Sequence, residues 1–155
     1  MHTERGLPRY GIVVLLALAF SLLAGPARAQ TVGVRAGVSV DPDQFYFGGH
    51  AETQALANRV HFRPNIEIGV GNDTTVSAFN IEFAYRFPSA NPWQVYAGAG
   101  PALNVIARRG RTDSEAGFNF LIGLQHEDGL LVELKAGAFD SPRVKFGVGY
   151  AFRWR

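Results

Sequence analysis

The sequence predicts an all-β fold, an eight-stranded antiparallel up-and-down β-barrel that follows a cleaved signal peptide. Three observations carry this prediction. Eight runs of alternating apolar and polar residues lie between turn signals. One face of every run carries no charge, whereas the opposite face collects the glycines and charged residues. The first 29 residues have the composition of an export signal.

The N-terminal segment has the three parts of a signal peptide. Two arginines near the start precede an apolar run at residues 12–24, and an Ala-x-Ala cleavage site ends at Ala29. The apolar run is shorter than the roughly 20 residues that a membrane-spanning helix needs. We therefore expect residues 1–29 to be the signal peptide and residues 30–155 to form one barrel domain exported through the periplasm.

Composition excludes several classes of function. The precursor has 15 Lys+Arg and 13 Asp+Glu, and the leader holds three arginines and one glutamate, so the mature chain carries 12 of each sign. This balance gives no electrostatic basis for binding nucleic acid. The chain has no cysteine, which excludes disulfides and thiolate metal or redox sites. No cofactor and no metal site is expected.

The eight runs account for almost all of the mature chain. In order, they are residues 32–40, 45–52, 62–71, 75–87, 93–105, 116–124, 130–138 and 144–154. Turn sequences rich in Asp, Asn, Pro and Gly separate most of them, as at Asp41-Pro42-Asp43 and Glu127-Asp128-Gly129. Most runs reach the length of about 9–11 residues that a membrane-spanning strand needs, whereas soluble strands are usually about 5–6 residues long. An even number of strands suits a closed barrel.

The two faces of the strands distinguish a membrane barrel from a soluble one. Uncharged faces suit lipid, but they also suit the core of a soluble, lipocalin-like periplasmic barrel that binds apolar ligands. The polar faces favour the membrane barrel because they hold most of the strand glycines. Glycine weakens an exposed strand, whereas the narrow lumen of an eight-stranded barrel needs small residues beside long ones. The fold class is therefore a transmembrane β-barrel.

Charged residues on the inward faces should pair with one another. The predicted lumen ion network comprises Arg35, Glu67, Glu82, Arg86, Glu133, Lys135, Lys145 and Arg153. Acids and bases are nearly balanced on these faces, and an isolated lumen charge would be costly. We expect a plugged lumen without a large pore.

Aromatic residues gather at one end of the predicted barrel. With the mature N-terminus in the periplasm, Phe87, Trp93, Phe152 and Trp154 all fall at the periplasmic rim. Aromatic girdles at the membrane interface are typical of outer-membrane barrels.

These features resemble the small eight-stranded outer-membrane barrels of Gram-negative bacteria, the OmpA/OmpX-like group. The resemblance covers the mature chain and implies location in the outer membrane, with the last strand read by the outer-membrane assembly machinery. In that group the terminal residue is usually aromatic. Here Arg155 follows Trp154. This departure from a terminal aromatic residue bears on the efficiency of insertion into the membrane and not on the fold. Pro64 and Pro101 should interrupt strand pairing, because proline lacks the donor that a ladder requires.

An enzymatic alternative depends on a small set of polar residues. Some barrels of similar size are lipid A acyl hydrolases or acyltransferases that use His with Ser and a carboxylate. The weak catalytic candidates here are Ser39, His50 and Glu52, which all lie on inward faces. Buried polar groups in a barrel are more often simply paired. We therefore expect a non-enzymatic envelope protein and keep the enzyme as the alternative.

The most distinctive predicted loop is rich in arginine. Arg108, Arg109 and Arg111 lie between the fifth and sixth runs, at the cell exterior if the N-terminus is periplasmic. Arginine binds phosphate through paired hydrogen bonds, so these residues are candidates for contact with lipopolysaccharide. Short turns leave little surface for a protein partner, and we expect a monomer surrounded by outer-membrane lipid.

Overall fold

The computed structural model describes residues 29–153, which form nine β-strands. In chain order they are β1 Ala29–Val40, β2 Gln44–Thr53, β3 Ala55–Ala57, β4 Val60–Gly71, β5 Thr74–Arg86, β6 Trp93–Arg108, β7 Arg111–His126, β8 Leu130–Phe139 and β9 Val144–Arg153. The three-residue β3 continues the line of β2, so the sheet contains eight long strands. Within residues 29–153 no helix is long and apolar enough to cross a membrane. Of the predicted signal peptide, residues 1–29, only Ala29 lies within the described residues. Trp154 lies outside them.

The sheet closes on itself. Sequential long strands pair antiparallel from β4 to β9, and β9 pairs with β1, which pairs with β2. The circle is completed by β2 and β4, whose register runs from Gln44 opposite Gly71 to His50 opposite Asn65. A closed barrel has no free sheet edge along this circuit. The predicted all-β, eight-stranded antiparallel up-and-down barrel is confirmed.

The two mouths of the barrel differ in what they contain. The terminal mouth holds the start of β1, the end of β9 and the turns at residues 58–59, 87–92 and 127–129. The distal mouth holds only the connections at residues 41–43, 72–73, 109–110 and 140–143. Every connection between the described strands is short, so no loop within residues 29–153 covers either mouth.

Burial along the strands is the reverse of that in a soluble barrel. Outward-facing Val34 and Phe120 are each 55% exposed, whereas inward-facing Arg63 and Lys135 are 1% exposed and Glu67 is 0% exposed. The apolar side chains therefore form the outer surface, and the charged side chains fill the lumen.

Several inward glycines are required by the large side chains opposite them. A Cβ atom added at Gly33 would collide with the His50 ring, and one added at Gly123 would collide with the Tyr96 ring. At Gly147 the collision would be with the Tyr46 hydroxyl. These close contacts explain the glycine-rich inner faces that the sequence displays.

Both strand prolines lie where pairing is interrupted. Pairing of β5 with β6 lapses between Asn80–Ala102 and Phe83–Ala99, which includes the position of Pro101. On β4, pairing with β2 stops at Asn65, just after Pro64, and resumes with β3 only at His61. Each proline therefore borders a gap in the ladder on one side, in agreement with the expected break in pairing, while the pairs Pro64–Ile81 and Pro101–Phe118 persist on the other side.

The charged lumen as candidate functional site

Glu133 on β8 is the centre of the first group of lumen contacts. Its carboxylate accepts hydrogen bonds from Arg35 Nη1 at 2.7 Å and from Arg63 Nη1 at 3.1 Å. The Tyr96 hydroxyl donates a third bond at 2.7 Å. The Arg63 guanidinium also lies over the Tyr96 ring, 4.5 Å from its centroid. Residues from β1, β4, β6 and β8 thus meet on one carboxylate.

Two lysines form the second group. Lys135 Nζ donates to Glu67 at 2.9 Å and to Glu82 at 2.7 Å, and Lys145 Nζ donates to the other Glu67 oxygen at 2.7 Å. Arg35 Nη1 lies 3.5 Å from Glu67, which joins this group to the one at Glu133. Because all of these side chains are buried, each charge is balanced by partners within the lumen rather than by solvent.

An amide chain extends the network around the barrel wall. Asn119 donates to the Asn80 carbonyl oxygen at 2.8 Å, Asn80 donates to Asn65 at 2.7 Å, and Asn65 donates to Glu82 at 2.8 Å. Sequence reasoning did not include these asparagines or Tyr96 in the network. Their inward-facing positions in the strand alternation are a signal that could have identified them.

A third group of charges lies toward the terminal mouth around Glu52. Arg86 Nη2 donates to Glu52 and also to Gln125 at 2.7 Å, while Arg86 Nη1 donates to Gln94 at 2.8 Å. Arg63 Nε lies 3.1 Å from Glu52, close enough for an ion pair but without the alignment of a hydrogen bond. Arg63 therefore connects Glu52 to the Glu133 group.

The structure brings together seven of the eight residues predicted for the lumen network. These are Arg35, Glu67, Glu82, Arg86, Glu133, Lys135 and Lys145, and Arg63 and Glu52 join them. Arg153 differs from the prediction, because it is exposed and forms no ion pair within residues 29–153. The reason is its place at the end of β9, three residues beyond Tyr150, the last β9 position that pairs with β8.

The weak catalytic candidates Ser39, His50 and Glu52 are not brought together as a triad. Ser39 lies at the distal end of β1, and its hydroxyl donates to the Pro42 carbonyl oxygen at 2.9 Å. His50 lies on β2 opposite Gly33 of β1. Gly33 is six residues from Ser39 on β1, so His50 and Ser39 are about 20 Å apart along the strand direction. Glu52 is engaged by Arg63 and Arg86. Proton transfer from Ser39 to His50 would require hydrogen-bond contact, which this separation prevents.

Metal-binding groups are also scattered in the described part of the chain. Among residues 29–153, no three His, Asp or Glu side chains converge in a way that could hold a metal ion.

Three of the predicted girdle residues lie at the terminal mouth. Phe87, Trp93 and Phe152 are exposed on the outer surface there, and Trp154 lies outside the described residues. Trp93 contacts the His126 ring with centroids 4.9 Å apart, and Phe152 contacts Tyr150 at 5.1 Å. The outer surface of this mouth is therefore lined with aromatic rings in edge-to-face contact.

The arginine-rich turn lies at the distal mouth. Arg108 and Arg111 are cross-strand partners at the tip of the β6–β7 hairpin, and Arg109 and Gly110 form the turn between them. Arg109 pairs with Asp73 of the neighbouring turn at 2.6 Å, and both side chains are exposed. Like charges placed directly opposite each other destabilise a hairpin, so Arg108 and Arg111 would gain from an anion between them.

Comparison with solved structures reveals what this barrel is similar to. Neisserial surface protein A (NspA) matches with a TM-score of 0.60 at 13% identity, over 80% of this chain and 95% of that chain. The N-terminal β-barrel domain of Pseudomonas aeruginosa OprF matches with a TM-score of 0.57 at 14% identity, over 79% and 98%. The fold is that of a small outer-membrane β-barrel.

A third structural neighbour is the outer membrane enzyme PagL, with a TM-score of 0.53 at 12% identity, over 80% of this chain and 99% of that chain. No protein-family model and no curated protein matches the sequence. At such identities the likeness establishes the fold alone, because one fold supports many functions. The narrower resemblance to the OmpA/OmpX-like group stays a prediction.

Proposed function

We propose that this protein resides in the outer membrane of a Gram-negative bacterium and has a structural or envelope-interaction role. The distribution of burial carries the proposal. Large apolar side chains such as Phe120 and Phe146 are exposed around the barrel, while the charged residues are buried inside it. Such an exterior is unfavourable in water, but it is the surface that a lipid bilayer requires.

The filled lumen supports a closed barrel without a large pore. Arg63, Tyr96, Lys135 and Leu131 are among the largest side chains that are fully buried in the lumen, together with Glu67 and Glu82. The polar side chains of this set are held by hydrogen bonds that cross the barrel, and moving one of them would leave its buried partners uncompensated.

Membrane fractionation combined with heat-dependent gel mobility tests the proposed location. The protein should sediment with outer membranes, and the unheated sample should migrate differently from the boiled one because the folded barrel resists detergent. Recovery as a soluble periplasmic monomer would instead favour a lipocalin-like binder of apolar ligands. The charged lumen argues against that alternative, because an apolar ligand would have to displace paired charges.

The separation of Ser39 from His50 supports a non-enzymatic role. The lipid A acyl hydrolase or acyltransferase alternative makes a direct prediction that mass spectrometry of lipid A can test. Expression of the protein should leave lipid A acylation unchanged. An altered acylation pattern that disappears in Ser39→Ala or His50→Ala would overturn the non-enzymatic role.

The Arg108–Arg111 turn is proposed to anchor the barrel in lipopolysaccharide. With the terminal mouth in the periplasm, the distal mouth faces the cell exterior, where lipopolysaccharide phosphates are available. The support is the opposed pair Arg108 and Arg111, whose mutual repulsion a phosphate would relieve.

Co-purification of lipopolysaccharide tests this anchor. Replacing Arg108, Arg109 and Arg111 by Ser should lower the amount that co-purifies while the barrel still folds. The matched control is Arg59→Ser with Arg153→Ser, which removes exposed arginines from the opposite mouth. If both variants retain as much lipopolysaccharide as the parent, the turn is not an anchor.

A further inference from the structure

A polar cavity of about 910 Å³ opens at the terminal mouth. We call it the vestibule. The residues on which its chemistry depends are Glu52, Arg59, His61, Arg86, Glu127 and Arg153. Its volume lies within the range of about 300–1,000 Å³ that is typical of small-molecule sites. The lumen network closes the barrel beneath the vestibule, and Glu52 and Arg86 of that network form its floor.

The floor of the vestibule is fixed. Arg86 uses its terminal nitrogens to bind Glu52, Gln94 and Gln125. Glu52 in turn contacts Arg63 on the lumen side. Because these charges are already paired, the floor provides a rigid surface with little net charge of its own.

Within residues 29–153, His61 has one ring nitrogen without a hydrogen-bond partner, and it lies above this floor. Its Nδ1 atom lies 2.9 Å from the Thr53 carbonyl oxygen and 3.3 Å from Glu52. Both partners are acceptors, so Nδ1 must carry the proton and donate. Nε2 is the ring nitrogen left for a ligand. If the ring is protonated, Nε2 donates as well.

Arg59 occupies a backbone position at which glycine is normally preferred. Asn58 and Arg59 form the two-residue turn between β3 and β4, with φ values of 40° and 71°. Two positive φ values are typical of a type I′ turn, in which Asn-Gly is the favoured sequence. An arginine at the second position costs free energy that glycine would not. Such departures from local preference are expected where function requires the side chain.

The walls of the vestibule carry cations without partners in the described chain. Arg59 and Arg153 are exposed, and neither forms an ion pair within residues 29–153. On the acidic side, Glu127 and Asp128 both lie on the rim. The Asp128 carboxylate lies 3.2 Å from His126 Nδ1, but that nitrogen accepts the Asp128 backbone N–H. The accessible basic groups are therefore Arg59 and His61 on the β3–β4 hairpin and Arg153 at the end of β9.

We propose that the vestibule binds a small hydrophilic anion, a molecule that carries a carboxylate or phosphate group. Arg59 and Arg153 supply the charge and the planar donor groups that fit either oxyanion. His61 Nε2 contacts the same group from the fixed floor. The cavity exceeds the size of a single ion, so it accommodates a molecule as large as a short peptide or a sugar phosphate. This site is separate from the proposed lipopolysaccharide contact at the distal mouth.

Amide chemical shifts of the folded, full mature chain in neutral detergent micelles test the site. The probes are inorganic phosphate, glucose 6-phosphate and the free peptide trialanine. Saturable shifts should appear around Thr31, His61 and Gln94, and a stronger response to one probe class identifies phosphate or carboxylate as the preferred group. Arg153→Ser and His61→Gln should each weaken binding several-fold.

Arg59→Gly is the decisive variant. It should weaken binding of the preferred probe at least tenfold while the resistance to denaturant stays the same or increases, because glycine suits the turn. The control, Arg108→Ser with Arg111→Ser at the distal mouth, should bind the probe as the parent does. Shifts that do not saturate, binding that survives Arg59→Gly, or shifts confined to the distal mouth would overturn the proposal.

Discussion

Removal of the Lys135 ammonium tests the energetic role of the lumen network. In Lys135→Met the side chain keeps most of its length and loses its charge. Glu67 retains Lys145 at 2.7 Å and Glu133 retains Arg35 at 2.7 Å. Glu82 loses its only cationic partner among the described residues and keeps one hydrogen bond, from Asn65. Lys135→Met therefore leaves one uncompensated carboxylate in the lumen.

The expected cost follows from this burial. Lys135 and Glu82 are both almost inaccessible to solvent, and breaking a buried ion pair by removing one partner costs about 3–5 kcal/mol. Asp73→Asn provides the matched control, because it breaks an ion pair with Arg109 that is mostly exposed. An exposed pair contributes about 0.2–1 kcal/mol. Lys135→Met should therefore lower the free energy of unfolding several times more than Asp73→Asn does.

A second substitution separates the charge effect from a packing effect. Glu82→Gln in the Lys135→Met background removes the uncompensated carboxylate charge and keeps an oxygen that accepts the hydrogen bond from Asn65. The double variant should be less destabilised than the sum of the single variants, with a coupling of about 0.5–3 kcal/mol. Equilibrium unfolding by guanidinium from lipid vesicles, followed by tryptophan fluorescence and by gel mobility, measures the parent and the four variants Lys135→Met, Glu82→Gln, their double variant and Asp73→Asn. A Lys135→Met variant as stable as Asp73→Asn would refute the reasoning.

Three further predictions concern the two faces and the last strand. Gly123→Ala should destabilise the barrel by about 1–3 kcal/mol through collision with the Tyr96 ring, whereas Gly49→Ala, on the outer face, should change unfolding by less than about 0.5 kcal/mol. Phe120→Arg should cost about 2–4 kcal/mol in a bilayer, and a cost near zero in vesicle unfolding would contradict lipid contact. Phe152→Ala should lower the yield of assembled barrel in cells, measured by heat-dependent mobility, if the last strand is read during assembly.

The strand alternation explains why the barrel could be predicted from the sequence. A period of two assigns each residue to one face once its strand is recognised, so Glu67, Glu82 and Lys135 could be placed inside before their partners were known. The same alternation places Phe120 and Phe146 outside. These assignments depend only on local sequence, which is why they agree with the structure.

Contacts across the lumen could not be predicted in the same way. Lys135 and Glu67 are 68 residues apart and lie on strands that are not neighbours. Their meeting depends on the stagger of the strands around the closed barrel, which local patterns do not encode. For the same reason, the shared inward face of Ser39 and His50 could not show that the two residues lie at different depths. The Asn58-Arg59 turn after the three-residue β3 helps to shape the vestibule. It contains no glycine, the residue that usually marks such a turn in a sequence.

Spin labelling in lipid vesicles tests the membrane-barrel account most directly. The chain has no cysteine, so a single introduced thiol takes the only label. Labels at Phe45, Phe120 and Ile122 should be accessible to oxygen, which concentrates in the bilayer, and protected from a water-soluble nickel complex. A label at Asn72 in the distal turn should respond in the opposite way. Equal access of the nickel complex to Phe120, Ile122 and Asn72 would contradict a lipid-facing exterior and, with it, the proposed outer-membrane barrel.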